Sequence, residues 1–292
     1  MEICMKDVLK EILSNFVYWL YRKNILKNHI RVQSVDETIE ELIRTDKSLV
    51  RFGDGEMVVL RGSDIKLQKA SQEIADGLKR IISYQYDGLM VSLQGIFGGV
   101  EGYQEKSRKF WKEHLFFYRK VYEQYCNPDR IYANTSFSRF YYVFEDKRPC
   151  KNWIEKIKRI WMGKDIVVVE GTRTHNGVGN DLFELAGSVE RIICPSSNAM
   201  RVLDKIIEAC SSYSTDRLFL LSLGITAKFV AEELFLKGYR VIDIGNLDME
   251  YEWYLQGSVD KVSLPKHGVE GKEANLAAGY TEYLEQIKRE LI

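Results

Sequence analysis

The sequence is poor in the residues that mark linkers, disulfide frameworks and zinc sites. It contains only 4 prolines and no low-complexity stretch, which argues against long disordered linkers. Its 5 cysteines are scattered and none belongs to a CxxC pair: Cys4, Cys126, Cys150, Cys194 and Cys210. This pattern fits neither a disulfide framework nor a zinc site, and it is typical of a reducing cytosol.

Long apolar runs and an excess of charge of one sign are also missing. No stretch of about 18 apolar residues could span a bilayer, and the N-terminus lacks the apolar core of a signal peptide. The 42 basic and 42 acidic side chains balance to a net charge of zero, which offers no general basic face for nucleic acid. We therefore expect a soluble cytoplasmic protein that does not bind nucleic acid, with a position at the inner face of the membrane as the alternative location.

The N-terminal segment, residues 1–33, contains a predicted amphipathic helix from about Met5 to Arg22. Its apolar residues recur at helical spacing, and its second half is strongly aromatic. One interpretation is a helix that contacts a membrane surface or a partner subunit through residues 5–22. The alternative is a helix that packs on its own domain, which would comprise residues 34–292.

Strands and helices alternate along that larger domain. Ser34 is a candidate N-cap of a helix that runs to about Arg44, and further helices are expected over 71–83, 104–126, 181–187 and 198–210. Short apolar runs predict strands at 48–52, 88–93, 165–170, 189–194, 218–223 and 239–244. Alternation with short turns predicts an α/β fold: a Rossmann-like, doubly wound, mostly parallel sheet with N-terminal helical additions.

Ligands of such sheets bind outside the carboxyl ends of the strands, so the loops that follow the strands are where chemistry is expected. In the first, Asp54 and Glu56 alternate with Gly53 and Gly55 directly after a predicted strand. The two carboxylates could hold Mg²⁺ or Mn²⁺ against a diphosphate, and Arg51 could pair with phosphate. A solvated turn is the alternative, because Asp-Gly is a common turn pair.

Three later loops offer weaker candidates. The glycine-rich loop after the 165–170 strand could present backbone N–H groups to an anion or could be a simple connector; it contains Glu170, Arg173, Gly179, Asn180 and Asp181. Gly224 and Thr226 open the next helix, where Thr226 could hold a phosphate or only cap the helix. Asp248 and Glu250 form a second Asp-x-Glu pair, which the helix dipole alone could also explain.

Five segments together carry a resemblance to a known family: RFGDGE at 51–56, GVGNDLF at 177–183, CPSSNA at 194–199, LGITA at 223–227 and DIGNLDMEYEWY at 243–254. In this order they resemble the GT-D type glycosyltransferases of bacteria, over roughly residues 35–270. The sequence departs from the family pattern at Asn246, where histidine is usual, and at Ile225, where proline is usual.

The resemblance implies a metal-dependent enzyme that moves a hexose from a nucleotide sugar, such as UDP-glucose, to a glycan acceptor on a surface protein or an envelope polysaccharide. It implies catalytic roles for Asp54, Glu56, Asp248 and Glu250, with Mn²⁺ or Mg²⁺ bound by the 54–56 pair or alternatively by the 248–250 pair. Donor contacts are expected from the loop residues named above and from Ser197. Two alternatives are another nucleotide-binding α/β enzyme, such as an oxidoreductase, and a non-catalytic glycan-binding module; the missing GxGxxG motif counts against the oxidoreductase.

Overall fold

The computed structural model describes residues 5–83, 86–267 and 278–292. Its centre is one nine-stranded sheet in which every pair of neighbouring strands is parallel. The strands are β1 Arg31–Val32, β2 Ser48–Phe52, β3 Leu89–Leu93, β4 Ile131–Asn134, β5 Asp165–Gly171, β6 Ser188–Cys194, β7 Leu218–Ser222, β8 Arg240–Asp243 and β9 Ile287–Glu290.

The strand order is β1-β4-β3-β2-β8-β7-β5-β6-β9. The expected doubly wound parallel sheet is therefore confirmed, and all six strands expected from apolar runs are present. Sequence reasoning missed β1, β4 and β9. Two of these are edge strands, where one side carries no neighbouring strand and the apolar pattern is weak: β1 has two residues, and β9 has the polar sequence Ile-Lys-Arg-Glu.

Helices cover both faces of the sheet. They are α1 Met5–Arg22, α2 Val35–Arg44, α3 Asp54–Leu60, α4 Gln72–Ser83, α5 Glu105–Tyr125, α6 Cys150–Lys158, α7 Leu203–Ser211, α8 Thr226–Leu236, α9 Leu247–Leu255 and a C-terminal helix Tyr280–Gln286. Short 3₁₀ turns occupy Thr135–Ser138, Arg159–Trp161 and Ala199–Val202.

Alternating side chains of each central strand enter two separate cores. Val167 and Val169 of β5 join the core beneath α4, α5, α7 and α8, whereas Ile166 and Val168 join the core beneath α2, α6 and α9. All four valine and isoleucine side chains are completely buried. A strand covered on both faces has no polar face, which explains the continuous β-branched run seen in the sequence.

Two helix predictions had opposite outcomes. Ser34 caps α2: its hydroxyl accepts from the Glu37 N–H at 3.1 Å, and Glu37 accepts from the Ser34 N–H at 2.7 Å. The prediction of a helix at 181–187 is wrong. That segment forms successive turns, in which the N–H of one residue donates to the carbonyl three residues earlier. The segment is short, because β6 begins at Ser188 directly after Gly187. So short a helix forms too few hydrogen bonds to offset the unfavourable free energy of nucleation.

Helix α1 has the expected bounds and packs against α5. In the described part of the chain, no helix is long and apolar enough to cross a membrane.

Candidate functional site

A cleft of about 250 Å³ opens over the carboxyl ends of the central strands. Every strand from β2 to β8 supplies its end or the following loop to the lining, and the loop after α3 and Trp111 of α5 complete it. The chain leaves the neighbouring strands β5 and β7 in opposite directions, towards β6 and towards β8. Such a reversal separates the two following loops and is where open α/β sheets bind ligands.

A buried lysine organises the floor of the cleft. Lys228 Nζ lies 2.7 Å from Glu56 Oε1 and 3.0 Å from Asp243 Oδ2, and it donates to the Gly224 carbonyl at 2.9 Å. Burial alone would lower the pKa of Lys228, but the two carboxylates outweigh it and raise that pKa. The lysine therefore stays charged and ties the ends of β2, β7 and β8 together.

Glu56 is fixed by this arrangement. Its other oxygen accepts from the Gly53 N–H at 2.8 Å, so Gly53 is the N-cap of α3 and Glu56 closes the cap. Burial would raise the pKa of Glu56, but Lys228 and the Gly53 N–H outweigh it and hold the pKa below its usual range. The 51–56 segment is thus a strand that passes directly into a helix, with Gly53 in the cleft lining and Gly55 inside the helix.

Asp54 is the first residue of α3 and is exposed in the cleft. Among the described residues its carboxylate makes neither a hydrogen bond nor an ion pair, in contrast to Glu56 and Asp243. The first Asp-x-Glu pair therefore consists of one accessible carboxylate and one that serves Lys228.

Arg51 lines the cleft, and no side chain of the described residues pairs with its guanidinium. Its Nε is buried and makes no hydrogen bond within the described part of the molecule, whereas its backbone N–H donates to Asp243 Oδ2 at 3.3 Å. Burial lowers the pKa of Arg51, although the nearby Asp243 opposes that shift. A Cβ on Gly245 would lie 1.6 Å from Arg51 Nη1, so glycine at 245 creates the space that the guanidinium occupies.

The second Asp-x-Glu pair lies in the first turn of α9 and is absent from the cleft lining. Asp248 is completely buried and accepts from the Gly177 N–H at 2.8 Å, Asn180 Nδ2 at 2.8 Å, Lys266 Nζ and His267 Nε2. Burial would raise the pKa of Asp248, but His267, Lys266 and Asn180 lower it to about 2. Asp248 thus anchors two loops on α9.

Glu250 has a similar supporting position. It accepts from the N–H groups of Tyr141 and Tyr142 at 3.1 and 2.7 Å, and its Oε1 lies 3.5 Å from Arg139 Nε. Because Arg139 lines the cleft, Glu250 reaches the site through that side chain. The catalytic roles of Asp248 and Glu250 stay predictions.

The glycine-rich loop after β5 is only partly in the cleft, through Gly171 and Thr174. Glu170 is buried beneath it, where it pairs with Arg191 at 2.6 Å and accepts from the Asn176 N–H. Arg173 is exposed and is absent from the cleft lining.

The later part of the same loop lies at another depression, beside the C-terminal helix. Gly179, Asn180 and Asp181 line that depression, where Asn180 donates to Asp248 and Asp181 pairs with Lys158 at 2.6 Å. Their expected contacts with the donor remain untested, but their positions are those of loop anchors.

Ser197, Gly224 and Thr226 do line the cleft, as expected of donor-binding residues. Sequence reasoning missed three charged residues of the cleft, Lys228, Arg139 and Asp243, and the polar side chains Gln94, Thr135 and Asn246. Asp243 gave a usable signal, because it ends a buried strand beside a glycine. Lys228 and Arg139 gave none, since each is one basic residue among the 42 of the chain.

Within the described ranges, no group of three or more histidine, cysteine, aspartate or glutamate side chains is placed to hold a metal ion. Asp54 alone suits a cation that takes its other ligands from phosphate and water, as Mg²⁺ does. Glu56 could bind the metal only if its ion pair with Lys228 were broken.

This fold and cleft define an α/β protein with a cleft over the carboxyl ends of a parallel sheet, lined by basic side chains that include the buried Lys228. A family model described as the glycosyltransferase GT-D fold matches residues 49–272. The chain belongs to this GT-D glycosyltransferase family.

Relatives and solved structures agree with this assignment. A probable glycosyl transferase Gly of Streptococcus gordonii is 39% identical over 84% of this chain and 36% of its own length. The glycosyltransferase GlyD of Streptococcus pneumoniae serotype 4 is 39% identical over 82% of this chain and 30% of its own length. The chain thus spans about a third of the length of these relatives.

One similar solved structure is that of domain of unknown function 1792, which is described as having a distinct glycosyltransferase fold. It superposes with a TM-score of 0.84 at 33% identity, over 97% of this chain and 98% of that one. A glycosyltransferase of the same domain type from Streptococcus sanguinis gives a TM-score of 0.84 at 38% identity, over 90% of this chain and 100% of the other.

Proposed function

We propose that the chain transfers a hexose from a nucleotide sugar, UDP-glucose or a related donor, to a glycan acceptor, and that the diphosphate of the donor binds in the carboxyl-edge cleft. Membership of the GT-D family supports the reaction class. The observation that carries the position is Arg51, whose buried Nε has no partner in the described structure.

A buried N–H group without an acceptor is costly, and a phosphate oxygen that accepted from Arg51 Nε would remove that cost. Arg139 lies on the same cleft, as do Thr226 at the start of α8 and Gly224 just before it, which has φ +55° and no described atom within 4 Å of an added Cβ. Two arginines and a helix N-terminus suit an anion with two phosphate groups. Developing negative charge on the leaving diphosphate would be stabilised by the same groups.

We also propose that a divalent cation, Mn²⁺ or Mg²⁺, binds at Asp54. When bound, it would offset charge on the diphosphate. Asp54 is exposed, lies in the cleft and makes no hydrogen bond or ion pair within the described ranges, whereas Glu56 already serves Lys228. In this proposal Glu56 holds Gly53 and Lys228 in position.

The acceptor is proposed to be a glycan on a surface protein or an envelope polysaccharide. Transfer requires removal of a proton from the acceptor hydroxyl, and a carboxylate is the usual group. Since Glu56 and Asp243 both pair with Lys228, Asp54 is also the cleft carboxylate best placed to take that proton if the cation binds elsewhere.

The first experiment incubates the purified chain with individual nucleotide sugars and Mn²⁺ and measures release of the nucleoside diphosphate. We expect release from a UDP-hexose, faster when a mixture of oligosaccharide acceptors is added. Oxidation or reduction of a nicotinamide cofactor, or sugar binding without turnover of any donor, would contradict the proposal.

A matched pair of arginine variants tests the position of the diphosphate. Arg51→Ala should weaken UDP binding by about tenfold or more, because a charge-assisted phosphate contact is lost. Arg173→Ala removes an arginine that also follows a strand but is absent from the cleft lining, and it should change UDP affinity by less than about threefold. Calorimetric titration with UDP measures both; equal effects would contradict the assignment.

A further inference from the structure

Helix α1 presents its apolar side to solvent. Met5, Leu9, Ile12, Phe16 and Trp19 recur every three or four residues and therefore share one face, and each is at least 49% exposed. Val8 and Leu13 lie at the margins of this face and are 43% and 41% exposed. We refer to these seven side chains as the α1 apolar face.

The opposite side of α1 attaches the helix to the protein through Tyr18 and Tyr21, which join the main core, and through polar groups. Its buried residues are Ser14, Tyr18 and Tyr21, and the Tyr18 hydroxyl donates to Glu101 at 2.8 Å while accepting from the Val100 N–H. Ion pairs and a hydrogen bond to α5 complete the attachment: Lys10 with Glu113, Glu11 with Lys109 and Asn15 with Lys112. A helix that packed only on its own domain would place its apolar side inward, so this orientation indicates that something else covers the apolar face.

Charge around the face indicates what covers it. The whole chain has no net charge, yet residues 5–27 contain five basic and two acidic residues. Lys23 and Lys27 follow Trp19 and are exposed. A second copy of this chain would bring the same positive segment against itself, whereas anionic lipid headgroups would neutralise it.

The helix also lies near the cleft. Arg22 at its end donates to the Gly98 carbonyl, and Asn28 donates to the Phe97 carbonyl at 2.9 Å. Both carbonyls belong to the loop after β3, which supplies Gln94 to the cleft. A surface that covered α1 would therefore approach the edge of the sheet at which the cleft opens.

We propose that α1 is a membrane-surface anchor: its apolar face inserts into the interfacial layer of an anionic membrane while the surrounding lysines contact lipid phosphates. Aromatic and aliphatic side chains with flanking lysines are the composition that such helices need. The anchor would hold the cleft beside substrates carried at the membrane surface.

Sedimentation with lipid vesicles tests the proposal. The chain should bind phosphatidylglycerol-containing vesicles about tenfold more strongly than pure phosphatidylcholine vesicles, with binding weakened by salt. The double variant Ile12→Asp/Phe16→Asp should lose this binding. The control Leu236→Asp/Leu255→Asp, which alters two equally exposed leucines at the ends of α8 and α9, should retain it.

Fluorescence gives a second readout on the wild-type chain. Trp19 is 49% exposed and the other four tryptophans are buried, so a blue shift on addition of anionic vesicles reports on Trp19 and should vanish in Trp19→Phe. Absence of both sedimentation and a blue shift with anionic vesicles would overturn the proposal. So would a dimer in light scattering that the Ile12→Asp/Phe16→Asp variant dissociates, because a second copy would then cover the face.

Discussion

Two carboxylates that look equivalent in the sequence occupy different environments. Asp54 is exposed in the cleft and makes no hydrogen bond or ion pair among the described residues, whereas Asp248 is completely buried and accepts from four neighbours. Both stand in Asp-x-Glu at the start of a helix after a strand. The sequence could place them at the same edge of the sheet, but the direction of each side chain depends on the partners that tertiary packing supplies.

Substitution with asparagine should separate these two environments. Asp54→Asn should lower the rate of sugar transfer by about a hundredfold and leave thermal stability unchanged. Asp248→Asn should instead lower the free energy of unfolding by about 3 kcal/mol, because Lys266 loses a buried partner. Steady-state kinetics and urea denaturation measure the two effects; a stable but inactive Asp248→Asn would restore the second pair as the catalytic one.

The lowered pKa of Asp248 makes stability depend on pH. A carboxyl whose pKa falls from about 4 in the unfolded chain to about 2 in the folded protein contributes about 2–3 kcal/mol of stability above pH 4. That contribution is lost as the pH falls from about 4 to about 2. Urea denaturation across this range measures how steeply the free energy of unfolding falls with decreasing pH, and this fall should be less steep in Asp248→Asn than in the wild-type chain. Equal pH dependence in the two proteins would contradict the assigned pKa.

At the scale of whole elements, the contact between α4 and α8 depends on one glycine. A Cβ on Gly77 would lie 2.2 Å from Cε1 of Phe229. Gly77→Ala should therefore destabilise the protein by about 1–3 kcal/mol, although alanine is the better helix former. Gly102→Ala is the matched control, because nothing lies within 4 Å of its added Cβ, and it should be nearly neutral in the same urea denaturation. A neutral Gly77→Ala would mean that the Phe229 ring moves freely.

Elements with strong local signals were predictable. Strand β5 is buried on both faces and has a continuous run of β-branched residues that can be recognised in the sequence. The cap of α2 depends only on residues 34–37, which are adjacent in the sequence. The strands missed, such as β9, derive their structure from pairing with a neighbour rather than from their own composition. The separation of residues 1–33 from the larger domain stays a prediction. Tyr18 and Tyr21 of α1 belong to the main core, so this segment packs with the larger domain.

For the molecule as a whole, the position of the cleft was predictable from topology, while its chemistry was not. Parallel strands bring their following loops to one edge, which placed Arg51, Asp54, Ser197 and Thr226 together. The central lysine was not predictable, because its pairing with Glu56 and Asp243 joins residues 172 and 15 positions apart.

Dependence of turnover on a divalent cation also belongs to this scale. Release of UDP should stop in chelator and return with Mn²⁺ or Mg²⁺, because the diphosphate and the Asp54 carboxylate would repel each other without the cation between them. In Asp54→Asn, the Mn²⁺ concentration for half activity should rise by about tenfold or more. Full turnover in chelator would exclude the proposed role of the cation.

Hydrogen–deuterium exchange with and without UDP tests most directly that the carboxyl-edge cleft holds the donor. Slower exchange is expected in peptides that contain 51–56, 195–199, 222–228 and 243–246, because ligand contact there restrains the backbone N–H groups. Exchange at 177–184, beside the second depression, should change less. Protection confined to 177–184, with 51–56 and 243–246 unaffected, would contradict the account and move the donor to the other side of α9.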